Sequence, residues 1–71
     1  MSVLVRKELK KLRIDYDLSQ KVMAEKLGIS AGAYSLIENG KRHGNSKTWE
    51  KIKEILNISD EKMWEIQNPK V

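Results

Sequence analysis

The chain has 71 residues, with 14 basic and 10 acidic side chains, a net charge of +4 and a pI near 9.5. That length holds one domain near the lower limit for folding on a single core, and the lack of cysteine excludes a disulfide framework and any thiolate metal site. With one histidine, His43, no metal or other cofactor is expected, and with neither a bilayer-length apolar run nor a signal-peptide core, neither is a membrane role, so the reading is a soluble cytoplasmic protein.

The first predicted helix runs over residues 3–16. Val5, Leu9, Leu12 and Tyr16 recur at helical spacing and form its buried stripe, while Arg6, Lys7, Lys10, Lys11 and Arg13 fill the rest. Asp17 ends it and Leu18 turns inward. Ser19 is a good N-cap for a second helix over 19–27, with Val22, Met23, Ala24 and Leu27 on its inner face. The small Ala24 lets the next helix approach closely. Gly28 supplies the unusual backbone of a sharp turn, Ile29 plugs the corner, and Ser30 caps a third helix over 30–39 that turns Tyr34 and Ile37 inward.

Gly40 stands where a helix-terminating glycine is expected, before a polar, basic loop, Lys41-Arg42-His43-Gly44-Asn45. A fourth helix over 46–56 buries Trp49, Ile52, Ile55 and Leu56, and Asn57 ends it. Ser59 caps a fifth over 59–66 with Met63, Trp64 and Ile66, and residues 67–71 form a loose tail broken at Asn68-Pro69. The expected fold class is all-α, five short helices in one bundle. Two short helices joined at Gly28-Ile29-Ser30 form a helix-turn-helix, which holds its second helix outward; its usual partner is the major groove of DNA.

The spaced motifs Leu9-x-x-Leu12-Arg13, Ser19-Gln20, Ala24-Glu25-Lys26-Leu27-Gly28-Ile29-Ser30 and Ser35-x-Ile37-Glu38-Asn39-Gly40-Lys41-Arg42 closely resemble the Cro and lambda-repressor-like helix-turn-helix family, over Leu9 to Trp64. The resemblance implies a DNA-binding regulator of phage or mobile-element type, acting in a bacterial host cell on a double-stranded operator. It implies that Gln20 contacts a phosphate beside a helix N-terminus. Ala31, Gly32, Ala33, Ser35 and Leu36 would then face base edges, and Asn39, Lys41, Arg42 and Lys47 would follow the DNA backbone. It also implies a structural ion pair between Arg13 and Glu38.

Other residues have plainer readings. Trp49 and Trp64 are expected in the core or a dimer contact rather than as stacking platforms, and His43 is a solvated loop residue. The basic residues of the first helix are a solvated face, of which Arg6 or Lys10 would be the ones to reach DNA. No set of residues suits catalysis, so an enzyme is not expected.

The chain departs from its family on the third helix. No Arg, Gln or Asn occupies the leading positions of Ala31-Gly32-Ala33-Tyr34-Ser35-Leu36, although paired hydrogen bonds to bases need such side chains. Gly32 weakens the helix by about 1 kcal/mol relative to alanine. Two readings follow. In one, phosphate and thymine-methyl contacts, DNA shape and dimer symmetry suffice, with half-sites about 34 Å apart. In the other, the smooth face docks on a partner repressor, as a phage modulator or anti-repressor would. Ile58, Trp64 and Ile66 supply either a seam for a homodimer or the closing residues of a monomer's core.

Overall fold

A computed structural model describes residues 5–69, and among these there are five helices and no strand. They are α1 (Lys7–Asp15), α2 (Gln20–Leu27), α3 (Ala31–Glu38), α4 (Ser46–Leu56) and α5 (Asp60–Gln67). Four start at a side-chain cap. Ser19, Ser30 and Ser59 accept from the N–H of Val22, Ala33 and Lys62, each at 3.1 Å, and Asn45 accepts from Thr48 N–H at 2.8 Å. Each cap contributes about 1 kcal/mol to a helix too short to persist alone.

The chain reverses where left-handed backbone is tolerated. Gly28 ends α2 with φ 73°, and Asn57 ends α4 with φ 51°. The core then takes a stripe from every helix: Leu9 from α1, Met23, Ala24 and Leu27 from α2, Tyr34 and Ile37 from α3, Trp49, Ile52 and Leu56 from α4, and Ile66 from α5. α3 packs on α1 and α2, and α4 packs on α2 and α5. Lys53–Asp60 and Lys62–Glu8 ion pairs tie α5 to α4 and α1 at the surface, where such pairs contribute little.

A buried ion pair joins α1 to α3. Arg13 Nε donates to Glu38 Oε2 at 2.9 Å and a second guanidinium nitrogen to Oε1 at 3.1 Å, while another bond from Arg13 reaches the Leu18 carbonyl. Glu38 is 2% exposed. Burial pushes the Glu38 carboxyl up, but hydrogen bonds led by those from Arg13 outweigh it and hold it below the usual carboxylate value.

Several expectations are corrected. Helix one starts at Lys7, because the Arg6 N–H donates to the Glu38 carbonyl and draws the entering chain along α3 instead of into a further turn. Val5 is therefore exposed rather than buried, Tyr16 is exposed as the residue closing α1, and residues 3 and 4 lie outside the described chain. Val22 is also exposed, since it lies roughly opposite the side of α2 carrying Met23, Ala24 and Leu27. Of the two places given to Trp64, it is outside the core, 61% exposed and about 200° round α5 from Ile66, whose burial removes Ile66 from the expected dimer seam. It lines a cleft of about 390 Å³ with Val5, Ile66 and Pro69. Finally, α5 extends through Gln67, and the Asn68 side chain donates to the Trp64 carbonyl, so 67–69 are not a loose tail; residues 70–71 lie outside the described chain.

Two outcomes follow from these contacts. The lowered Glu38 pKa gives stability that is complete above the ordinary carboxylate value, about 4.3, and lost as pH falls through the lowered one. Arg13→Met strands the carboxylate, lowers stability at neutral pH by about 3–5 kcal/mol and reverses the sign: the variant gains stability on acidification where the wild type loses it. Urea unfolding across pH measures both slopes, and parallel slopes would exclude the pair as their source. Gly44, at φ 85°, would place a Cβ 3.2 Å from Trp49 Nε1 and 3.3 Å from Ile37 Cδ1, whereas a Cβ on Gly28 meets open space. Gly28→Ala is expected to lose about 1–2 kcal/mol from backbone strain alone, and Gly44→Ala more, as read by thermal unfolding.

Candidate nucleic-acid interface

The helix-turn-helix is built so that α3 has one anchored and one open side. Tyr34, Ile37 and Glu38 are buried, and Ala33 is half-buried. Gly32, Ser35, Leu36 and Asn39 all fall about 100–200° away from Tyr34 round the helix. Gly32, Leu36 and Asn39 are exposed, as is Ala31 in the first turn, while Ser35 is half-buried. The Asn39 amide donates to Ser35 Oγ at 3.3 Å, so the two polar groups of this face are paired with each other. Leu36 is its one large apolar side chain, 37% exposed.

Gln20, in the first turn of α2, is half-buried, and its Nε2 donates to Glu38 Oε1 at 3.2 Å. One amide hydrogen is therefore committed to the Arg13–Glu38 pair, and the other is left at the N-terminal end of α2. The contact fixes which way the amide points. It also ties α2 to the same carboxylate that holds α1 to α3.

Beyond α3 the chain folds back on it, with the N–H groups of Lys41 and Arg42 both donating to the Leu36 carbonyl, at 2.9 and 3.1 Å. The side chains of Lys41, Arg42 and Lys47 are exposed, and none is in an ion pair among the described residues. Arg42 borders a notch of about 270 Å³ lined also by Ala33, Ile37 and the α4 residues' cap, Asn45. Cations beside a helix N-terminus favour an anion there. The sequence-derived set thus divides: Ala31, Gly32, Leu36, Asn39, Lys41, Arg42 and Lys47 are open to solvent, whereas Gln20, Ala33 and Ser35 are half covered.

Arg6 is not where the sequence reading put it. It is 6% exposed and so faces neither solvent nor DNA. Its guanidinium donates to the Ile37 carbonyl at 2.6 Å, the Arg42 carbonyl at 3.0 Å and the Gln67 carbonyl at 3.3 Å, lies 3.3 Å from His43 Nδ1, and sits over the Trp49 ring, 5.3 Å from its centroid. Burial lowers its pKa. Among the described residues no carboxylate pairs with it; carbonyls near the C-terminal ends of α3 and α5, where helix dipoles favour a cation, take that place. Among the basic residues of α1's approach nothing in the sequence distinguishes Arg6. α4 starts at Ser46, as the sequence reading has it, and its cap Asn45 was legible as a capping residue type directly before an amphipathic run.

Comparison with known proteins gives a consistent result. The helix-turn-helix family model matches residues 9–63. The chain is 45% identical over 51 residues to an uncharacterized HTH-type transcriptional regulator, YqaE of Bacillus subtilis (strain 168), an alignment covering 72% of this chain and 44% of that protein. The chain therefore spans under half the length of this relative. No solved structure matches it.

Gln20→Glu keeps the shape of the side chain but sets a second carboxylate against Glu38. We expect it to lose about 1–3 kcal/mol, as for a donor removed from a buried acceptor, and more than Gln20→Ala, which leaves room for water. Paired urea titrations at neutral pH compare the two; equal losses would mean that Glu38 does not feel the amide.

Proposed function

This chain belongs to the helix-turn-helix family, and from that premise we propose that it is a sequence-specific DNA-binding transcriptional regulator of the Cro and lambda-repressor type, from a phage or mobile element, working in the cytoplasm of a bacterial host. The observation that carries this reading is the two-sided build of α3: buried Tyr34, Ile37 and Glu38 anchor it, while Ala31, Gly32, Leu36 and Asn39 stay open between Gln20 at one end and Lys41, Arg42 and Lys47 at the other.

In this reading the free Gln20 N–H, with backbone N–H groups of the α2 N-terminus, binds one phosphate. Lys41, Arg42 and Lys47 bind others beyond α3. Ala31, Ala33 and Leu36 contact thymine methyls, and Gly32 lets the helix approach the bases closely. Ser35 and Asn39, already bonded to each other, keep a donor and an acceptor for a base edge or phosphate. Phosphate contacts set register and DNA shape supplies the discrimination that the short side chains of α3 do not. Two copies would bind half-sites about 34 Å apart, and the exposed Trp64 beside Val5 favours a contact between copies.

The exposed Leu36 on a face of small side chains supports a second reading, in which the surface docks on a partner repressor as a modulator or anti-repressor. Gel-shift titration at two salt concentrations, with and without a neighbouring repressor, separates the two. For direct binding, Arg42→Ala weakens the complex and reduces the slope of log K against log salt by about 0.9. Gln20→Ala weakens it with less change of slope, because the amide is neutral. If neither variant alters DNA binding and Leu36→Asp abolishes attachment to the repressor, the second reading holds.

A further inference from the structure

The loop after α3 is held from inside through consecutive carbonyls. The Arg42 carbonyl accepts from Arg6 at 3.0 Å, and the His43 carbonyl accepts from Trp49 Nε1 at 2.7 Å. Trp49 is 1% exposed and Arg6 6%. With both carbonyls turned inward, the side chains of Arg42 and His43 stay exposed. Gly44, in left-handed backbone against the Trp49 indole, completes the turn. An exposed loop held by two buried side chains has a defined conformation rather than an average one.

One further contact fixes a proton. The Arg6 guanidinium nitrogen lies 3.3 Å from His43 Nδ1. A guanidinium has only donors, so the neutral ring must accept at Nδ1 and carry its hydrogen on Nε2. We propose that His43 is a DNA-phosphate ligand, in which Arg6 holds the neutral imidazole as the Nε2–H tautomer and so presents that N–H, beside Arg42, to a phosphodiester oxygen. This rests on the DNA-binding reading above and adds to it a neutral donor and the buried residue that positions it. Arg6 never touches the nucleic acid; it acts through His43 and through the Arg42 carbonyl.

The contact has a signature that separates it from the neighbouring cations. Lys41 and Arg42 release counterions when they meet phosphate, whereas an imidazole in its uncharged form releases none, so the salt slope is read at the same mildly alkaline pH as the ring spectrum. Loss of the His43 contact therefore lowers affinity without changing the salt slope. Side-chain geometry supplies a second signature. A glutamine amide nitrogen can stand in for Nε2, and an asparagine amide nitrogen for Nδ1.

The test uses the full chain and a DNA fragment that it retards. Because His43 is the only histidine in the sequence, long-range proton–nitrogen spectra of the ring give one unambiguous signal at mildly alkaline pH. The expected result is a pure Nε2–H tautomer in the free protein, becoming a mixture in Arg6→Met. His43→Ala is expected to weaken DNA binding about ten-fold, the scale of one hydrogen bond to a charged group, at unchanged salt slope, with His43→Gln restoring affinity and His43→Asn not. Should Arg6→Met fail to fold, as thermal unfolding reports, the ring spectrum of the wild type and the Gln/Asn pair still decide. An Nδ1–H ring, or DNA binding indifferent to His43→Ala, overturns the proposal while leaving the DNA-binding reading intact. A folded chain that retards no DNA, with the ring still in its Nε2–H form, overturns that reading, and the phosphate contact with it.

Discussion

The carboxylate of Glu38 is the point on which the arrangement turns. It sits at the end of α3 and takes two bonds from Arg13 of α1 and one from Gln20 of α2. Three helices of eight or nine residues, each too short to be stable alone, are thereby indexed to one another at a single pair of oxygens. A buried ion pair is weak as a source of stability, since the desolvation of both charges offsets most of their attraction. Its effect is on alternatives: any slip of α3 along α1 leaves a charge buried without a partner. The outward side of α3 is thus set by what its inward side must satisfy.

Arg6 performs a related task by different chemistry. Among the described residues it is a buried cation without a buried anion, held by carbonyls of Ile37, Arg42 and Gln67 and by the face of Trp49. Carbonyls carry only partial charge, so this site is less favourable than the Arg13 site, and the direction of the two arginine pKa shifts agrees: raised for Arg13 by the Glu38 hydrogen bond, lowered for Arg6 by burial. Among the described residues the buried Arg6 Nε has no hydrogen-bond partner, and the buried Tyr34 hydroxyl lies beside the Glu38 carboxylate. Burial raises the Tyr34 pKa, and that phenol stays neutral beside the pair. Such groups are costly in a small domain with a net stability of only several kcal/mol. What Arg6 supplies is a link from the chain's first described turn to the loop that follows α3 and to the end of α5.

The open face of α3 is unusual for what it omits. A bidentate contact to a base discriminates by about 1–3 kcal/mol, and neither Ala31, Gly32, Ala33 nor Leu36 can make one. Its hydrogen-bonding side chains, Ser35 in the second half of the helix and Asn39 at its C-cap, are already paired. In the proposed DNA complex, recognition through such a face would draw on close approach, methyl contacts and the phosphates at its two ends. The polar groups sit accordingly at those ends, in α2, in the loop and at the start of α4.

Much of this was legible from residue types. Ser19, Ser30 and Ser59 before apolar runs, glycine at 28 and the helical spacing of Met23, Leu27, Tyr34, Ile37, Ile52 and Leu56 are local signals, because capping, left-handed backbone and amphipathic periodicity each involve residues within a turn or two of one another. The all-α class and the helix-turn-helix follow from them. What only the tertiary structure decided involves partners distant in sequence. Arg6 and Arg13 are both arginines on a lysine-rich approach, yet each is buried by a residue some thirty positions away or less, Ile37 or Glu38. Val5 and Trp64 look like core residues by type and are exposed, because helical phase is set by the residues that neighbours actually cover. The proton on His43 belongs to this second kind: its place depends on an arginine 37 residues earlier, brought beside it only by the fold.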